Sequence, residues 1–159
     1  MKLKPQTAVL TALSIFIIGI FSANAYGLWS VEEDKVPDKL TEAEFASEYD
    51  PAGIRGSFTF SEISSYYSIP LEDIAAAFGV EQSAAADFKC KDLETIYAES
   101  ESEIGTGSVK LFVAYYLGLP YEPTEDTWLP QSAADILTAN GGMTDAEREY
   151  VAGHTIFAE

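Results

Sequence analysis

Between Thr59 and Val80 apolar residues recur at three- and four-residue intervals between polar caps, a pattern that predicts two short helices joined by a tight turn. Thr59-Phe60-Ser61-Glu62 is a capping box, in which the Thr59 hydroxyl accepts from the Glu62 N–H and the Glu62 carboxylate accepts from the Thr59 N–H. Phe60, Ile63, Tyr66 and Tyr67 form an inward stripe, and Glu62, Ser64 and Ser65 are left to water. Ser68-Ile69-Pro70 ends that helix, and Pro70, which lacks an N–H, suits the first position of the next. Leu71, Ile74 and Phe78 then make a buried face; Glu72 and Asp73 sit in the first turn, where the helix dipole favours them, and Gly79 is the stop. The segment AYYLGLPYEP at Ala114–Pro123 echoes SSYYSIPLED at Ser64–Asp73, which suggests a helix-turn-helix unit used twice.

The same reading extends along the chain. Thr41-Glu42-Ala43-Glu44 is a second capping box, predicting a short helix to about Tyr49 before Asp50-Pro51 breaks it. Lys91–Ala98 reads as helical with Leu93, Ile96 and Tyr97 inward. Gly105–Ser108 caps a longer helix whose face is Val109, Phe112, Val113, Tyr116 and Leu117 and whose end is Gly118; it is the expected centre of the core. Ser132 is expected to cap a helix carrying Ile136 and Leu137, closed by Asn140-Gly141-Gly142, and Thr144-Asp145-Ala146-Glu147 opens a last helix. No alternating strand of useful length occurs. The fold class is therefore all-α, a small bundle of short helices.

The N-terminus changes the picture. Residues 5–31 carry no charge, and Ala8–Phe21 is nearly continuous apolar sequence behind Lys2 and Lys4. Two readings compete over residues 1–30. A signal peptide would be cleaved after Ala25, where Ala23-Asn24-Ala25 supplies the small-residue motif, leaving a secreted domain. A signal-anchor would cross the membrane with about 20 residues, Tyr26 and Trp29 lying at the far interface. Either places the remainder outside the cytoplasm: a polar stalk over 31–40, then a domain over 41–159. Beyond Lys2 and Lys4, seven basic residues face 26 acidic ones, a formal charge of −19. Nucleic acid is thereby a poor partner, since affinity for phosphate backbones comes from Lys and Arg, and a DNA-binding reading of the helix-turn-helix loses its basis.

Candidate chemistry is sparse. The single cysteine, Cys90, forms no disulfide within the chain and by itself holds no iron–sulfur cluster, and the single histidine, His154, has no nucleophile motif around it. No catalytic set, metal site or cofactor is predicted. Weak binding candidates are Arg55, an isolated cation in a Gly-containing turn, Trp128, an aromatic at a loop end, and Glu99, Glu101 and Glu103, whose alternation departs from the EF-hand pattern.

The central block, together with GLWSVEEDKVP, FKCKDLETIY and EIGTGSVKLFVAYYLGLPYEP, resembles a small domain of largely unknown function from anaerobic bacteria and archaea. That domain occurs behind a transmembrane helix or attached to membrane-bound 4Fe-4S ferredoxin-type proteins, and the similarity spans about Tyr26 to His154. The resemblance implies a retained anchor at the cell membrane and an accessory module near an integral redox protein, with no catalytic residues assigned. The expected function is a non-catalytic extracytoplasmic interaction module; the alternative is a small-ligand or cation sensor.

Overall fold

The Thr59 box closes as its residue types dictate: Glu62 N donates to Thr59 Oγ1 at 3.2 Å and Thr59 N donates to Glu62 Oε2 at 2.7 Å. It opens α1 (Phe60–Tyr67) in a computed structural model that describes residues 36–100, 102–124 and 126–156. The expected membrane segment and residues 31–35 of the stalk lie outside the described residues; no helix within them is long and apolar enough to cross a membrane. Of the stalk, 36–40 are described, and Pro37 is buried beside Gly53.

The chain from Val36 onward forms one unit. Its further helices are α2 (Leu71–Ala77), α3 (Leu93–Ile96), α4 (Thr106–Leu117), α5 (Gln131–Asn140) and α6 (Asp145–Gly153). Two-residue strands β1 (Leu129–Pro130) and β2 (Thr155–Ile156) pair in parallel, Leu129 opposite Thr155. The described residues are thus mostly helical, and the departures from an all-helical reading are this short ladder and two isolated bridges, Lys39 with Tyr49 and Thr59 with Lys89.

Helix α4 is the centre. Ser108, Val109 and Leu111 to Tyr115 are all buried, so the helix is covered on every side rather than along one stripe. Gly105 N donates to Ser108 Oγ at 3.2 Å at its start, and the left-handed Gly118 (φ 67°) ends it. Helix α5 packs against α2, α4 and α6. At the end of α2, Val80 N donates to Ala75 O at 2.9 Å and Gly79 N to Ala76 O at 3.4 Å, the double bond pattern that a left-handed glycine at Gly79 (φ 65°) permits.

Several expectations are corrected. The Thr41 box opens no helix: Leu40 N donates to Glu48 O, Asp50 N donates to Asp38 O, and the segment is a turn closed by a bridge from Lys39 to Tyr49. Its residues are mostly exposed, and a short helix without a buried face is not self-supporting. The helix-turn-helix is used once, because no described residue between Leu119 and Trp128 is helical. There Pro123 follows Pro120 by three positions and Tyr121–Thr127 offers no apolar face, whereas Leu71–Ala77 has both a free run of N–H groups and buried Ile74, Ala75 and Ala77. Ile96 is 51% exposed rather than inward, since α3 is a single turn whose inner face is taken by Leu93 and Tyr97. Ser132 lies inside α5, and its hydroxyl donates to Ala77 O at 2.7 Å, fastening α5 to the end of α2. Pro70 stands at the cap position of α2, one residue before the helix.

Ser68 ends α1 in the left-handed conformation (φ 54°), costly for a residue with a Cβ. Ser68→Gly is expected to raise stability by up to about 1 kcal/mol, read as a higher urea midpoint at constant slope.

Candidate functional site

The four sequence candidates among the described residues do not converge on one site. Glu99 and Arg55 are exposed, Glu99 in the turn after α3 and Arg55 at the start of a turn in which Phe58 N donates to Arg55 O at 3.0 Å. Glu101 lies outside the described residues. Glu103 lines a cavity of about 320 Å³ at the start of α4, together with Asp126, Ser108, Thr124 and Thr127. A Cβ placed on Gly105 would lie 3.5 Å from Glu94 Oε1 and 3.9 Å from Glu103 Oε1, so two carboxylates crowd the same helix N-terminus. The dipole there favours negative charge. Glu94 was not legible as a neighbour, because it lies eleven positions before Gly105 and its approach is set by the fold. Gly56, next to Arg55, faces the same helix end: its Cβ would lie 3.2 Å from Thr106 Oγ1. Among the described residues no group of three or more His, Cys, Asp or Glu is placed to hold a metal ion.

Trp128 is half-buried against the core, its ring 5.2 Å from that of His154. His154 in turn stacks on Tyr150 with centroids 3.9 Å apart and planes 7° from parallel, and its Nδ1 lies 2.9 Å from Tyr150 O. Tyr150 OH reaches the carbonyls of Thr124 and Thr127, both at 3.2 Å. The Trp128 loop is therefore pinned by the last helix. The sequence reading left His154 apart from Trp128; the β1–β2 pairing, through Leu129 N donating to His154 O at 2.9 Å, joins them.

Other tyrosines act in the same way, with a packed ring and a hydroxyl that satisfies a loop or helix end. Tyr67 OH donates to Asp50 O at 2.9 Å, Tyr97 OH to Phe78 O at 3.1 Å, and Tyr116 OH to Asp73 Oδ2 at 2.6 Å. The Asp73 bond, with burial, pushes the Tyr116 phenol up to about 12, and burial does the same for Tyr115.

Cys90 is fully buried beside the α1 start, its N–H donating to Phe58 O at 3.0 Å. Burial pushes its thiol up to about 12 from an ordinary 9.0, with the charges of Glu62 and Asp92 adding to the effect. A covered thiol held protonated is a poor nucleophile. Ellman's reagent is expected to label Cys90 only when the chain unfolds. The sign of the pH effect follows: the unfolded thiol ionises above pH 9 while the folded one stays protonated to about 12, so its stabilisation is complete below pH 9 and lost between 9 and 12. The urea midpoint should fall across that window, and Cys90→Ala should flatten the first part of the fall, below the range in which the tyrosines ionise.

A second groove, of about 270 Å³, lies between α5 and α6 and contains Arg148, Gln131 and Asp135. None of the three stood out in the sequence, because each falls on a polar helix position where a solvated surface explains it. Comparison with protein-family models, with curated proteins and with solved structures found no match to this chain.

Proposed function

We propose that this chain is a non-catalytic accessory module held at the outer face of the cell membrane by its N-terminal segment, where it docks to an integral redox protein of the ferredoxin type. The observation that supports the reading is charge arranged around a filled interior. From Val36 to Glu159 there are 23 acidic residues and six basic ones. Among the described residues no acidic side chain is buried, while the aromatic and aliphatic residues of α1, α2, α4 and α5 fill the inside. Such a surface steers towards a basic patch on a partner and is repelled by anionic lipid. The redox partner comes from the resemblance of the motif series.

Affinity capture of the full chain from detergent-solubilised membranes tests this. An integral membrane protein is expected to co-purify at low ionic strength and to dissociate as salt is raised, since exposed charges are screened within about 10 Å at 0.1 M. Recovery of the chain alone under mild, low-salt conditions would count against it. The alternative, a small-ligand sensor, is favoured by one observation, the groove between α5 and α6.

A further inference from the structure

The two walls of that groove carry complementary groups. On α5, Gln131 Nε2 donates to Asp135 Oδ1 at 2.6 Å, which orients the amide and makes its oxygen an acceptor aimed elsewhere. That oxygen is buried and has no hydrogen-bond partner among the described residues. A buried acceptor left in this state is costly, and native proteins rarely keep one without a reason. On α6, Arg148 is exposed, lines the groove and makes no ion pair among the described residues. It is also the only Lys or Arg after Lys110 in a strongly acidic chain.

The remaining lining sorts into two kinds. The hydroxyls of Thr138 and Thr155 donate to Ala134 O at 2.8 Å and Val151 O at 2.6 Å, so towards the groove they offer only lone pairs. Met143 and Val151 are apolar and nearly covered. The groove thus combines one planar cationic donor, the Asp135 carboxylate and an apolar floor, while the Gln131 oxygen is covered as the side chain now stands. Its volume lies just below the roughly 300–1,000 Å³ of sites for drug-sized molecules, so the matching occupant is smaller than those.

We propose that this groove binds a free α-amino acid with a small aliphatic side chain. The ligand carboxylate pairs with the Arg148 guanidinium, whose fork matches its two oxygens. The ligand ammonium donates to Asp135 and, after a rotation of the Gln131 side chain, to the amide oxygen that is otherwise unsatisfied. The aliphatic group rests on Met143 and Val151. This inference is independent of any membrane partner.

Calorimetry and thermal melting of the full chain in detergent, with L-valine as the probe, test it. Isobutyrate and isobutylamine serve as analogues that each keep one of the two charges. Valine is expected to release heat and raise the melting temperature, with each analogue at least about tenfold weaker because one charge-assisted contact is missing. Arg148→Gln and Gln131→Leu should each weaken valine at least about tenfold. Without ligand, Gln131→Leu should melt no lower than the parent, since it removes the orphan oxygen. The proposal is overturned by the absence of heat and melting shift at millimolar valine, by isobutyrate or isobutylamine binding as well as valine, or by valine affinity that is unchanged in either variant.

Discussion

Phe112→Ala is expected to destabilise the domain by about 3–5 kcal/mol, the range for deleting a buried aromatic ring that leaves a cavity. Phe112 is fully buried in α4 and meets Phe78, the cap residue just after α2, edge-on at 5.6 Å and 73°, with Tyr116 also at 5.6 Å. Phe78 in turn touches Phe60 of α1, so the ring links three helices. Native domains are stable by only about 5–15 kcal/mol, and the loss should appear as a melting temperature roughly 10–20 °C lower. Phe112→Leu, which nearly keeps the volume, should cost under about 1.5 kcal/mol. A loss of less than about 1 kcal/mol in the alanine variant would show that α4 does not centre the core.

Gly142→Ala is the second large effect, about 2–4 kcal/mol, and its cause is backbone rather than cavity. A Cβ at Gly142 would sit 2.9 Å from Gly118 N and 3.0 Å from Gly118 Cα, atoms that cannot turn aside as a side-chain end would. The same residue donates its N–H to Tyr115 O at 3.0 Å and Tyr116 O at 3.2 Å, closing the end of α4 onto the end of α5. Inserting a methyl group therefore pushes apart two helix ends held by hydrogen bonds. Gly153→Ala is the control: nothing lies within 4 Å of its Cβ, and alanine in place of a helical glycine should stabilise by about 0.5–1 kcal/mol. Chemical denaturation of the two variants should therefore give opposite signs.

The elements that were legible in the sequence are those whose cause is local. Thr59 with Glu62 and Thr144 with Glu147 each carry both halves of a capping box within four residues, and both boxes form. Gly79 and Gly118 stop helices because a left-handed residue is needed where each helix ends. The Thr41 box has the same local signal and fails, because no residue from Thr41 to Tyr49 is fully buried and the strand-like closure of Lys39 on Tyr49 competes successfully. The Ala114–Pro123 echo misleads for a related reason: it matches the turn of the first unit but lacks the buried face that follows it.

The candidate site was less legible. Arg55, Trp128, Glu99 and Glu103 stood out by residue type alone, and the fold does not gather them into one site. Gln131 and Asp135 are i,i+4 neighbours on α5, but Arg148 comes from α6 beyond the Gly141–Gly142 corner, and nothing in its spacing marks it as their neighbour. The sequence by itself determined the Thr59 and Thr144 boxes, the glycine stops, the central place of Val109–Leu117 and the acid excess, since each depends on nearby residues or on composition, whereas the inert setting of Cys90 comes from its burial in the fold. Only the tertiary structure decided the packing of α5 against α2, α4 and α6, the placing of His154 against Trp128 and Tyr150, and the groove beside Gln131. Those depend on which surfaces meet, and that is settled by the glycine contact between Gly118 and Gly142 and by the pairing of Leu129 with Thr155, contacts between residues far apart in the chain.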